Sequence, residues 1–169
     1  MTIQIGDSIP SATLHEGNPG NQVDPAEILG KGKVLVFAVP GAFTPGCSNT
    51  HLPGYVNDFD AIKAKGVDTI ACISVNDAFV MNAWGEAHEA GGKIRMLADP
   101  GAEFTQAVGL GVDAAALGGV RSKRYAMVLE DGKVTQLEVE PDGFGLTCSL
   151  SSRSSTSSDR SIGPSSPRR

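Results

Sequence analysis

Lys33-Val34-Leu35-Val36-Phe37-Ala38-Val39-Pro40-Gly41-Ala42-Phe43-Thr44-Pro45-Gly46-Cys47 joins an apolar run to a proline-rich loop and a cysteine. Residues 34–39 contain no polar side chain, the pattern of a strand buried on both faces. Pro40-Gly41 stops the strand, because proline has no N–H to give a ladder. Beyond Pro45-Gly46, Leu52, Tyr55, Val56, Phe59 and Ile62 recur at intervals of three and four, then Gly66 follows. That spacing predicts one face of a helix, with Cys47 in its first turn. Pro53 should kink it, since its ring removes a donor and crowds the carbonyl four residues back.

The same alternation continues outward. Residues 70–75 read as a second buried strand, and Asn76-Asp77 offers a cap for a helix carrying Phe79, Val80, Ala83, Trp84 and Ala87. Gly91-Gly92 ends that helix, residues 94–97 form a short strand, and residues 101–108 a short helix. Residues 125–129 and 134–139 flank Glu130-Asp131-Gly132-Lys133, a hairpin by its Asp-Gly pair. Strand–helix–strand–helix followed by a hairpin predicts an α/β fold with a central mixed sheet flanked by helices. There is no internal repeat.

Composition narrows the function classes. The chain has 169 residues, 40% of them hydrophobic and 20% charged, enough for one cored domain and a tail. No apolar run approaches the roughly 18 residues of a membrane-spanning helix. A net charge of −5 argues against nucleic acid as the partner, and three cysteines are too few for a secreted disulfide scaffold. Met1-Thr2-Ile3-Gln4-Ile5-Gly6-Asp7 has neither a signal-peptide core nor a transit-peptide composition, so a cytoplasmic setting is expected. From Ser149 onward there are ten Ser, four Arg and one Asp, leaving −8 on residues 1–148. The expected division is a domain over residues 1–150 and a disordered Ser/Arg-rich tail over residues 151–169.

In an open α/β sheet, the carboxyl ends of the strands form the crevice where ligands bind. A thiol at a helix start there meets unpaired N–H groups and the positive dipole end, which favour a thiolate. Thr44 can aim a hydroxyl at the same point, and Pro40 and Pro45 hold the loop stiff. The residues alone leave two readings of Cys47 open, reactive nucleophile or small buried hydrophobe.

Pro40-Gly41-Ala42-Phe43-Thr44-Pro45-Gly46-Cys47 resembles the peroxidatic motif of the peroxiredoxins, and the string extended from Val39 to Gly54 resembles their type-five (type II) branch. The likeness continues at Ala71-Cys72-Ile73-Ser74-Val75-Asn76-Asp77-Ala78-Phe79-Val80, at Leu97-Ala98-Asp99-Pro100, at Lys123-Arg124-Tyr125-Ala126-Met127-Val128, and from Val139 to Leu150. It implies a thioredoxin-like fold that reduces hydrogen peroxide and organic hydroperoxides through a cysteine sulfenic acid. It further implies that Cys47 is the nucleophile, that Thr44 hydrogen-bonds thiolate and peroxide, and that Pro40 shields the thiolate from water. Arg124 would supply the guanidinium facing the sulfur, and Cys148 would resolve the sulfenic acid as an intramolecular disulfide that thioredoxin reduces. No cofactor and no metal are implied, and the branch tends to monomers or weak homodimers.

The chain departs from the branch at Phe144, at Leu117-Gly118 and in its tail, whose Ser166-Pro167-Arg168-Arg169 end is not a peroxisomal signal. Two alternatives therefore stand beside the main reading: a one-cysteine peroxidase recycled by glutathione and glutaredoxin, and a non-enzymatic thioredoxin-like interaction protein. Cys47 with His51 could begin a metal site, but His15, His88 and Cys148 fall at no finger-like spacing. His51 is expected as a core histidine or a support for the site, and Cys72 as inert core.

Overall fold

The computed structural model of the protein describes residues 2–141. The strands among the described residues are β1 (Leu14–Glu16), β2 (Asn18–Val23), β3 (Lys33–Val39), β4 (Thr69–Ser74), β5 (Arg95–Ala98), β6 (Gly111–Ala114), β7 (Gly119–Ser122), β8 (Tyr125–Glu130) and β9 (Lys133–Val139). Seven make one mixed sheet in the order β2-β1-β5-β4-β3-β8-β9, and β6 pairs with β7 apart from it. The central strands β3, β4 and β5 run parallel, while β1, β8 and β9 join antiparallel. The mixed sheet and the thioredoxin-like fold expected from the sequence are what the chain adopts.

The pleat divides β3 between two cores. Val34, Val36 and Ala38 pack on one face with Leu14, Leu29, Phe104 and Val108. Leu35, Phe37 and Val39 pack on the other with Leu52, Tyr55, Ile62 and Trp84. Because both faces are covered, the run reads as continuously apolar rather than alternating. The β8–β9 hairpin turns at Asp131 (φ 49°) and Gly132 (φ 80°), two left-handed residues matching the twist of the strands.

Helices cover the two faces: α1 (Pro25–Ile28), α2 (Leu52–Asn57), α3 (Phe59–Ala64), α4 (Ala78–Ala87) and α5 (Glu103–Ala107). The kink expected at Pro53 takes a particular form. Cys47–His51 is a π-helical turn in which the Leu52 N–H donates to Cys47 O, five residues back. Widening by one residue accommodates the donor that Pro53 lacks. Asp77 caps α4 through the Val80 N–H at 2.9 Å, as expected, but the buried face of the helix differs. Ala78, Met81, Trp84 and Gly85 face the core, and Phe79 is 66% exposed. Gly85 sets that orientation, because a methyl there would lie 2.8 Å from Met96 Cγ. No helix among the described residues is long and apolar enough to cross a membrane.

Candidate active site

Strands β3 and β4 end together at Val39 and Ser74, and the loops that leave them form one rim. Pro40 and Gly41 are buried at the strand exit. The chain then turns sharply at Phe43, which takes φ 64° and is 54% exposed. A bulky side chain in the left-handed region carries strain of about 1 kcal/mol or more, which such loops retain only when held from outside. The Thr44 hydroxyl donates to Gly41 O at 2.7 Å, and Ser48 N donates to Thr44 O at 2.8 Å. With its proton committed to Gly41, Thr44 Oγ1 keeps its lone pairs for an incoming O–H.

Cys47 opens the π-helical turn and is fully buried. Arg124, between β7 and β8 and 4% exposed, reaches it from the opposite wall. Its Nη2 donates to Cys47 Sγ at 3.2 Å, and its Nη1 lies 2.9 Å from His51 Nδ1. A guanidinium can only donate, so His51 Nδ1 accepts, and a neutral ring carries its proton on Nε2. The π turn brings Cys47 and His51 to the two tips of one fork. That convergence on a cation is the opposite of a shared metal site, and no group of three or more His, Cys, Asp or Glu among the described residues could hold a metal ion. The His51 ring packs against Phe37 and Tyr55, with centroids at 5.1 and 5.5 Å, so its orientation is set by the core. His51 is thus a core residue, as expected, and it also touches Arg124.

A fixed cation against sulfur, with water excluded, stabilises negative charge on that atom and on a leaving oxygen beside it. Cys72 lies on β4 in the same core cluster as Cys47. Burial pushes its thiol well above the ordinary range, and the nearby Cys47 adds to the shift while Arg124 opposes it. Cys148 lies outside the described residues.

Several supports had no clear signal in the sequence. Trp84 Nε1 donates to Ser48 Oγ at 2.9 Å, tying α4 to the residue after the cysteine. The Asn76 side-chain carbonyl accepts the Ala42 N–H at 3.0 Å and the Ser74 hydroxyl at 2.6 Å, fastening the loop after β4 to the loop after β3. A cleft of about 440 Å³ lies elsewhere, at the amino ends of β4 and β5. Its wall includes Lys63, Asp68, Asn82 and an Arg95 already paired through two nitrogens with Glu16.

Comparison with known proteins agrees with this geometry. Residues 4–148 match the Redoxin family. Peroxiredoxin-2B of Arabidopsis thaliana is 43% identical over 145 residues, covering 83% of this chain and 90% of the relative. The chloroplastic Peroxiredoxin-2E-2 of Oryza sativa subsp. japonica is 46% identical over 156 residues, covering 88% and 69%. Reduced Prx3 from Vibrio vulnificus in complex with H2O2 superposes with a TM-score of 0.87 at 48% identity, over 94% of this chain and 100% of that one. Peroxiredoxin 5 from Alvinella pompejana gives 0.85 at 40% identity, over 94% and 99%. A buried cysteine at a helix start, an arginine fork against its sulfur and these relatives lead to one conclusion: the chain belongs to the peroxiredoxins, in the type-II branch, and is a thiol peroxidase of antioxidant function.

Proposed function

We propose that Cys47 is the atom at which hydroperoxides are reduced, with Arg124, Thr44 and Pro40 as its catalytic partners and Cys148 as the resolving thiol. The thiolate sulfur attacks one peroxide oxygen and the O–O bond breaks. The leaving oxygen takes a proton and departs as water or an alcohol. Sulfur is thereby oxidised to the sulfenic acid, and the peroxide is reduced. Arg124 offers its forked donors to the charge that grows on sulfur and oxygen. Thr44 accepts the peroxide O–H and holds the substrate in line, while Pro40 keeps water away. The observation that carries this reading is the 3.2 Å bond from Arg124 Nη2 to a fully buried Cys47 Sγ.

In the second half-reaction the Cys148 thiol displaces hydroxide from the sulfenic sulfur, releasing water and forming an intramolecular disulfide. A dithiol such as thioredoxin returns both sulfurs to thiols by exchange. The test is peroxide turnover supported by thioredoxin, and separately by glutathione with glutaredoxin, with mass spectrometry of the oxidised protein. Turnover with thioredoxin and a Cys47–Cys148 disulfide are expected. A sulfenic or sulfinic Cys47 beside a free Cys148, with turnover on glutathione alone, would replace this reading with the one-cysteine mechanism. We further propose a monomer or weak homodimer, checked by sedimentation, and a cytoplasmic location. The names of two relatives include chloroplastic forms, so a fluorescent fusion of the chain decides the compartment.

A further inference from the structure

Arg121 takes no direct part in that chemistry, yet it sits where the three loops around Cys47 meet. It lies on β7, half-buried, three residues before Arg124. Its Nη1 donates to Val75 O at 2.8 Å, just past the end of β4. Its Nη2 donates to Leu117 O, in the turn where Gly118 takes φ 98°. The guanidinium lies beside Gly41, where an added methyl would come 3.6 Å from Nη1 and 3.1 Å from Thr44 Cγ2. One side chain thus contacts the turn after β4, the turn before β7 and the loop that carries Pro40 and Thr44.

We infer that Arg121 is a positioning residue for the peroxide reaction, fixing the Pro40–Thr44 loop through Val75 and Leu117. The inference rests on the reading of Cys47 as the peroxide-reducing nucleophile. The path is continuous. Arg121 pins Val75; the next residue, Asn76, accepts the Ala42 N–H; and Gly41 O, one residue earlier, accepts the Thr44 hydroxyl. That sequence of bonds sets where the Thr44 lone pairs stand relative to the sulfur. Two carbonyls at a fixed separation suit the planar fork of arginine, whereas a lysine head is a single point and can satisfy only one. Alignment of substrate and nucleophile is sensitive to displacements below an ångström. Loss of the fork should therefore slow attack on a peroxide, which must be held in line. Alkylation of the same sulfur by iodoacetamide does not require that alignment and leaves the Arg124 contact in place.

The test compares two second-order rates for Cys47 in wild type, Arg121→Met and Arg121→Lys: oxidation by hydrogen peroxide and alkylation by iodoacetamide. Arg121→Met should lose about tenfold in peroxide rate while its alkylation rate stays within about twofold of wild type. Arg121→Lys should recover part of the loss. Should Arg121→Met fail to fold, Gly41→Ala reports the same effect from the other side of the contact. Its methyl meets Thr44 Cγ2 and should likewise slow peroxide attack selectively. A peroxide rate for Arg121→Met within about twofold of wild type, or a parallel fall in both rates, would overturn the assignment. Sulfenic acid mapping on wild type, run alongside, tests Cys47 separately: if Cys47 is not oxidised there, it is the underlying reading that fails.

Discussion

Replacing Arg124 with lysine keeps the charge and removes the fork. The guanidinium holds two sites together, Cys47 Sγ at 3.2 Å and His51 Nδ1 at 2.9 Å, and a lysine ammonium can reach one of them at a time. In the folded protein, a charge-assisted bond at a buried site contributes about 1.5–3 kcal/mol. Losing the one to His51 should cost about that much stability. In the transition state, removing one donor aimed at developing charge costs about 2.7–4 kcal/mol, or 10²- to 10³-fold in rate. The lysine charge recovers part of this, so the expected loss for Arg124→Lys is about 10²-fold. The assay is stopped-flow oxidation of reduced protein by hydrogen peroxide, followed in the first half-reaction so that the reductant plays no part. A rate within about threefold of wild type would refute the argument, because it would mean that neither donor geometry nor its pairing with His51 matters to attack.

Three further outcomes follow from other parts of the molecule. Truncation after Leu150 should leave the melting temperature within about 2 °C, since residues 151–169 offer little to bury; a fall of several degrees would move the domain boundary we propose. The Tyr125 hydroxyl is buried with no hydrogen-bond partner among the described residues, so Tyr125→Phe should be neutral or stabilising in urea melts, and a loss above about 1 kcal/mol would reveal a partner. Burial raises the Cys72 thiol and the Tyr125 hydroxyl above their ordinary values. The native state therefore keeps protons that the unfolded chain releases, so stability should be level below about pH 8.5 and fall above it, with a smaller slope in Cys72→Ala; an unchanged slope would contradict the Cys72 part.

The central strands were readable because β3 and β4 are apolar on both faces, a pattern few other structures produce. The β8–β9 hairpin announced itself through Asp131-Gly132, where the turn needs left-handed residues. The β1–β2 hairpin did not, because β2 is Asn18-Pro19-Gly20-Asn21-Gln22-Val23, an exposed edge strand with almost nothing to bury. β6 and β7 are four residues each and lack an aromatic or β-branched run. The face of α4 is not legible in the sequence because small apolar residues surround much of the helix, and the close fit of Gly85 on Met96 selects the stripe.

The site divides the same way. Cys47 and Thr44 are legible from the loop itself, where strand end, prolines and helix start make local sense. Arg124 is 77 residues from Cys47 and meets it only because β8 lies beside β3. From the residues alone it is an ordinary arginine at a strand edge, and the family resemblance is what singled it out. Pro53 predicted a disturbance in the helix, but not that the disturbance would be a π turn bringing His51 to the same guanidinium. The bonds from Trp84, Asn76 and Arg121 run between elements 30 or more residues apart or end on backbone carbonyls, which carry no sequence signal.

The central claim is that peroxide is reduced at Cys47. Reduced protein is treated with one equivalent of hydrogen peroxide in the presence of dimedone and mapped by mass spectrometry. The account predicts dimedone on Cys47, which holds the Arg124 contact, and none on Cys72, whose thiol is held well above its ordinary range. Label on Cys72 or Cys148, with Cys47 still a thiol, would contradict it.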